Sequence, residues 1–214
     1  MGLAGFHRNQ RRAGDVENLT IRGTVQRTNS EAALSVVKLF PYDITPILDM
    51  LPAFDDLWGE DRLRQTLPFS PHKNSEVIHL RRQPGSRPRD ILHQLASVAT
   101  RHHIGALAVA IDEICVRTEG RPARAMLVRL SPGGVIAEHT DTGIYFTNTE
   151  RFHVPILTNP KAWLTVDGEK YHLAAGVCYA LDNKVAHSGA NEGDAARIHL
   201  IIDTHPESPA VLAG

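Results

Sequence analysis

At 214 residues, 42% hydrophobic and 22% charged, the chain is long enough for one globular domain with its own core. A net charge of −1 gives no field to draw it to nucleic acid or an anionic membrane, and no apolar run approaches the roughly 20 residues that span a bilayer. The N-terminus has no apolar signal core and the two cysteines, Cys115 and Cys178, lie far apart in apolar runs, so a cytoplasmic protein with buried free thiols is expected.

Residues 1–30 are polar and arginine-bearing without sustained periodicity, and are expected to form a flexible tail. Ala33 to Phe40 is valine-rich and bounded by Pro41, which predicts a strand. Ile44 to Leu51 predicts a short helix with Asp43 as candidate N-cap. Glu76 to Arg81 alternates apolar and polar residues, a second strand. From Arg89 to Val116 the pattern is helical, in two apolar stripes. Ile91, Leu92, Leu95 and Val98 form the first, and Ile104, Leu107, Ala110, Ile111 and Ile114 the second. His102-His103 and Gly105 mark a break between them, and Glu119-Gly120 and Pro122 end the helical region. Residues 31–122 therefore read as an α/β flank.

The remainder is different. Strands are predicted at Ala125–Leu130, Phe152–Thr158, Ala162–Val166, Lys170–Ala174, Val177–Leu181 and Ala196–Asp203. Turn signals separate them, at Pro132-Gly133-Gly134, Asn159-Pro160, Asp167-Gly168, Gly176 and Gly189 to Gly193. Asp167-Gly168 between two alternating runs is a strong hairpin signal. Many short, evenly spaced strands indicate a sandwich or barrel, and helices before strands argue against a parallel doubly wound sheet. The expected class is mainly β with flanking helices (α+β), with the core at residues 123–206 and a tail at 207–214.

His139-Thr140-Asp141, then His187, then Arg197, is the chemical signal. A spacing of two at a strand end puts His139 and Asp141 on one face. Two imidazoles and a carboxylate hold one face of an iron(II) ion and leave the other open for a chelating acid and dioxygen. The same period recurs at Arg151 and His153, opposite Phe152, Val154 and Ile156, and at Arg197 and His199, opposite Ile198, Leu200 and Ile202. An arginine on a mostly apolar strand asks for an anion, because burying the charge alone is costly. Its planar fork suits a carboxylate. A His-x-Asp pair alone is most often a surface hydrogen-bonded pair; the later histidine and arginine make it a site. His72, His79, His172, His199 and His205 lack partners at metal spacing and read as ordinary polar positions. Trp163 and Tyr171 read as packing residues.

The run from Arg129 to Pro206 resembles the aspartyl/asparaginyl β-hydroxylase family of iron(II)- and 2-oxoglutarate-dependent dioxygenases. The matching text is Arg129-Leu130-Ser131-Pro132-Gly133-Gly134, Ile136, His139-Thr140-Asp141, Arg151-Phe152-His153 and Val166-Asp167-Gly168-Glu169. It continues through Gly176, Asp182-Asn183, His187, Asn191, Arg197 and Asp203-Thr204-His205-Pro206. The resemblance implies a double-stranded β-helix (jelly roll, cupin-like). It also implies His139, Asp141 and His187 as iron ligands, Arg197 on the distal carboxylate of 2-oxoglutarate, and Arg151 and His153 as further cosubstrate contacts. The reaction implied consumes dioxygen, turns 2-oxoglutarate into succinate and carbon dioxide, and hydroxylates an unactivated C–H bond. Asp141 favours hydroxylation over halogenation, since a halide would take the carboxylate's place.

The substrate class implied is an amino acid, an amino-acid derivative, or an Asp/Asn residue in a peptide. Thr142 to Glu150, with Tyr145, is a candidate substrate wall, and Arg81 and Arg129 are candidate anchors for a substrate carboxylate. No nucleic-acid or membrane partner is expected. The alternative is a cupin-like metal-binding protein or a zinc hydrolase using an open coordination position, though neither needs a dicarboxylate clamp.

Overall fold

The computed structural model describes residues 35–81 and 104–206. In chain order these form β1 (Val36–Pro41), α1 (Thr45–Leu48), a 3-10 helix (Leu51–Leu57), α2 (Leu63–Thr66), β2 (Ser75–Arg81) and α3 (Gly105–Arg117). There follow β3 (Gly120–Leu130), β4 (Val135–His139), α4 (Ile144–Thr147), β5 (Glu150–Leu157), β6 (Ala162–Val166), β7 (Glu169–Tyr171), β8 (Val177–Leu181), β9 (His187–Asn191) and β10 (Arg197–Pro206). Two antiparallel sheets result, a six-stranded one in the order β1-β8-β5-β10-β3-β2 and a four-stranded one in the order β4-β9-β6-β7. This is a jelly roll: from β3 onward the chain passes from one sheet to the other at every step except the β6–β7 hairpin, and β1 and β2 close the two edges of the larger sheet.

The period-two pattern on β5 and β10 sorts their side chains. Phe152, Val154, Ile156, Ile198, Leu200 and Ile202 pack against Leu107, Ile111 and Ile114 of α3 and Phe54 and Leu57 of the 3-10 helix. Each such buried side chain contributes roughly 1.5–3 kcal/mol of transfer free energy. The opposite face points between the sheets. There Val36, Tyr179 and Leu181 meet Leu164 and Val166 of the smaller sheet in a second apolar cluster. Where β5 and β10 face β4 and β9, that apolar filling gives way to Arg151, His153, Arg197, His199, His187 and Asp203, all buried.

Several elements match expectation closely. The Asp167-Gly168 hairpin joins β6 to β7 with both residues at positive φ (52° and 80°), as a two-residue turn with right-handed twist requires. The second helical stripe is the buried face of α3, while the first stripe and His102-His103 lie outside the described residues. Asp43 does accept the Thr45 N–H, at 3.0 Å, but the helix it starts ends at Leu48 and the chain tightens into the 3-10 helix. The run predicted from Lys170 to Ala174 is shorter, ending at Tyr171. β3 begins at Gly120 rather than Ala125 and carries Pro122, opposite Thr204 where the ladder is irregular. β4 and β9 carry no sequence signal of their own. His187-Ser188-Gly189-Ala190-Asn191 has no β-branched residue, and its strand exists because β4 and β6 pair with it on either side.

Leu200 is fully buried at the centre of the larger sheet, between β3 and β5. Leu200→Ala is expected to lower unfolding free energy by about 2–5 kcal/mol, read from urea midpoints, through the cavity it leaves. A loss below about 1 kcal/mol would contradict this packing.

Candidate functional site

His139 ends β4 and His187 starts β9, and the two are direct partners across the ladder, with ring centroids 4.2 Å apart. Asp141 lies two residues past the end of β4, where its N–H donates to the carbonyl of Asn183 at 3.0 Å. That bond fixes the turn, and the donor atoms of His139, Asp141 and His187 fall within 4.8 Å of one another. Each histidine has its Nδ1 against a backbone carbonyl two residues earlier: Ala137 at 2.8 Å for His139, Val185 at 2.9 Å for His187. A carbonyl only accepts, so each Nδ1 carries the proton and each Nε2 keeps a free lone pair, the tautomer a metal ligand needs.

The Asp141 carboxylate is divided between two tasks. Its Oδ2 accepts from Arg151 Nη1 at 2.5 Å and from Asn183 Nδ2 at 2.9 Å. Its Oδ1 points towards His139 Nε2, at 4.0 Å. Burial pushes this carboxyl up, but Arg151, Asn183 and the two histidines outweigh it and hold the group ionised. Arg151 is itself held from behind. Its Nε donates to Asp203 Oδ1 at 2.8 Å and its Nη2 to Asp203 Oδ2 at 3.2 Å. Asp203 also takes Arg124 Nη2 at 2.7 Å and the Tyr145 hydroxyl at 3.1 Å. Burial raises the Asp203 carboxyl, yet Arg151 and Arg124 prevail and bring it down to about 2.

Arg197 presents the opposite situation. It is 2% exposed, and among the described residues no carboxylate pairs with it. Its Nε donates to His199 Nε2 at 3.0 Å, and its Nη2 lies 2.8 Å from His199 Nδ1. Burial alone pulls its pKa down to about 10. His153 stands beside it on β5, Nδ1 to Nδ1 3.3 Å from His199, and its Nε2 is buried without a hydrogen-bond partner. Burial and then the neighbouring arginines keep both of these histidines neutral.

The other candidates fare differently. Arg151, expected to hold the cosubstrate, has its guanidinium committed to Asp203 and Asp141. Tyr145, expected on a substrate wall, bonds Asp203 at the back of that network. Arg81 is exposed on edge strand β2 opposite Ala125, whose side chain packs in the helix-side core, so it does not face the metal ligands. Arg129 is paired with Glu76 at 2.8 Å and stacked over Trp58, also on the helix side. A β-bulge between His79 and Arg81 accounts for the first of these, shifting the face on which Arg81 falls.

Six residues joined the site without an assigned binding role: Asp203, Asn183, Arg124, Arg64, and His72 and His199, which had read as ordinary polar positions. Asp203 shares the face of Arg197 and His199 on β10, and an acid at that period beside arginines was the available signal. Asn183 had none beyond its turn. Arg64 comes from the short α2 and His72 from the turn before β2, with no pattern to read. The His72 ring meets that of His139 edge-on at 4.9 Å, and Arg64 Nη2 lies 2.5 Å from His72 Nε2.

Residues 96–206, just over half of the chain, match the profile described as Aspartyl/Asparaginyl beta-hydroxylase. The chain belongs to the aspartyl/asparaginyl beta-hydroxylase family. An oxidoreductase of the 2OG-Fe(II) oxygenase family from Burkholderia pseudomallei shares the fold across 83% of this chain and 87% of its own, at TM-score 0.50 and 17% identity. A cupin_2 domain of an XRE family transcriptional regulator from Enterobacter cloacae aligns with 39% of this chain and 82% of its own (TM-score 0.33, 17% identity). A predicted oxalate decarboxylase from Thermotoga maritima aligns with 40% and 68% (TM-score 0.32, 19% identity). No curated protein matches in sequence. No helix among the described residues is long and apolar enough to cross a membrane.

The donor set fits what such a hydroxylase would hold. Two Nε2 lone pairs and Asp141 Oδ1 suit iron(II), while the unpaired Arg197 and the orphaned Nε2 of His153 suit a carboxylate-bearing cosubstrate.

Because the Asp203 carboxyl is depressed when folded, its stabilisation is present above the unfolded value of about 3.9 and is lost as pH falls towards about 2. Asp203→Asn is expected to flatten the acid limb of stability over that window. It also lowers stability at neutral pH by about 3–5 kcal/mol, because Arg151 and Arg124 lose the carboxylate they share and Arg151 keeps only Asp141. Urea midpoints measured across pH check both, and an unchanged acid limb would contradict the assignment.

Proposed function

We propose that this chain is an iron(II)- and 2-oxoglutarate-dependent dioxygenase that hydroxylates an unactivated C–H of an amino acid, an amino-acid derivative or an Asp/Asn residue. The observation that carries it is the buried Arg197 guanidinium, which has no carboxylate partner among the described residues. A buried cation without an anion is a standing cost, recovered when a carboxylate arrives. The distal carboxylate of 2-oxoglutarate matches that fork bidentately.

When bound, iron and 2-oxoglutarate supply the oxidation: dioxygen is consumed, the cosubstrate becomes succinate and carbon dioxide, and a substrate C–H becomes C–OH. The chain supplies the rest. His139, Asp141 and His187 hold the metal from one side. Arg151 and Asn183 keep Asp141 ionised and turned so that one oxygen faces the histidines. Arg197 sets the far end of the cosubstrate, and His153 Nε2, neutral and otherwise unpartnered, offers a polar contact nearer the metal. Asp203 holds Arg151 so that the metal ligand keeps its orientation.

Anaerobic titration of the iron(II) protein with 2-oxoglutarate is expected to develop a weak visible charge-transfer band. In Arg197→Ala the band needs at least tenfold more 2-oxoglutarate, while iron binding stays nearly unchanged. No band, with tight zinc retention instead, would sink the oxygenase reading. Loss of iron with unchanged cosubstrate affinity would overturn the role given to Arg197.

A further inference from the structure

Resting on that reading, we propose that Arg64 anchors a carboxylate of the substrate beside the metal ligands. Arg64 sits in α2, on the segment that leads across to β2. That segment is tied to β4 by the bond from the Ala137 N–H to the Pro71 carbonyl, at 3.0 Å. The Arg64 guanidinium touches two groups. Its Nη1 donates to Met126 Sδ at 3.4 Å, and its Nη2 lies against His72, whose ring meets His139. Met126 packs with Val77, Val128 and Ile201 on the face of the larger sheet that carries Arg197 and Asp203. The cation is thus one imidazole away from a metal ligand, on the interior side.

A thioether and an imidazole are poor company for a half-buried cation. No ion pair is recorded for Arg64 among the described residues, and the carboxylates within electrostatic range, Asp141 and Asp203, are already held by Arg151 and Arg124. Arg124 and Arg151 add repulsion. Arg64 therefore shares the predicament of Arg197, and one cosubstrate cannot relieve both. The distal carboxylate of 2-oxoglutarate goes to Arg197 and its other carboxylate belongs at the metal, which leaves Arg64 for a second, separate anion. An anion held there lies on the His139 side of the metal ligands. A carboxylate suits the guanidinium fork, and it can be the main-chain carboxylate of a free amino acid or an acidic side chain in a peptide.

The test is thermal unfolding of the full chain, loaded with manganese(II), a metal that suits the same ligands without starting turnover. The shift caused by 2-oxoglutarate is read first; its absence takes down the cosubstrate reading and this proposal together. With 2-oxoglutarate saturating, acetate is compared with acetamide at matched ionic strength. Acetate is expected to raise Tm by about 2 °C or more over acetamide, and that difference should vanish in Arg64→Gln and Arg64→Met, with the 2-oxoglutarate shift intact. An equal acetate effect in wild type and variants, or none in wild type, overturns the proposal alone. Arg64→Met without anions should unfold at or above the wild-type temperature, since an unpaired cation is removed. A clear drop would make Arg64 a structural strut and would also overturn it. N-acetyl-L-alanine against N-acetyl-L-aspartic acid α-amide then assigns the carboxylate to main chain or side chain by the larger Arg64-dependent shift.

Discussion

Arg151 spans the space between Asp203 on β10 and Asp141 past the end of β4, binding one carboxylate with two nitrogens and the other with its third. All three groups are withdrawn from water, so each is tolerable only because the others are present. The chain of contacts carries position across the sandwich. β10 places Asp203, Asp203 fixes Arg151 on β5, and Arg151 fixes the carboxylate oxygen of Asp141 that does not face the histidines. The candidate metal ligand in the smaller sheet's loop is therefore oriented from the larger sheet. Asn183 completes the hold through its side chain and its carbonyl.

The same interior is left with unmatched positive charge. Asp141 and Asp203 are its carboxylates among the described buried network, and Arg151 and Arg124 use both of them. Arg197 and the half-buried Arg64 remain, the first pulled down to about 10 by burial alone, the second to about 10 by burial and the neighbouring charges of Arg124 and Arg151. A protein optimised for stability alone would place apolar or paired residues there. A site that receives anions gains instead from cations kept dry and preorganised, and accepts reduced stability without them. The sequence rule that is broken at these positions marks where, on the proposed function, anions would bind.

The sequence was legible where period and spacing are strong. The polar face of β5 and β10, the Asp167-Gly168 hairpin and the buried stripe of α3 all follow from local pattern. The proximity of His139 to His187 was legible only through resemblance, because β9 is a strand by pairing and not by composition. Arg151 was readable as an interior arginine, but its preference for Asp203 over a bound acid depends on a register that no local pattern encodes. Arg81 and Arg129 were misplaced for a related reason: a one-residue irregularity, or an acid across the strand, decides which face an arginine serves. Arg64 offered no pattern to read, and His72 read only as an ordinary polar position. Arg64 lies in the short α2 and His72 in the turn before β2, and only tertiary contact brings them beside His139.

On the proposed function, Arg197 pairs with the distal carboxylate of a chelating acid. Calorimetric titration of the manganese(II) protein with 2-oxoglutarate and with 2-oxopentanoate, which has the same chain length but no distal carboxylate, isolates that one interaction. 2-Oxoglutarate is expected to bind at least a hundredfold more tightly, about 2.7 kcal/mol. Equal affinities would contradict the account.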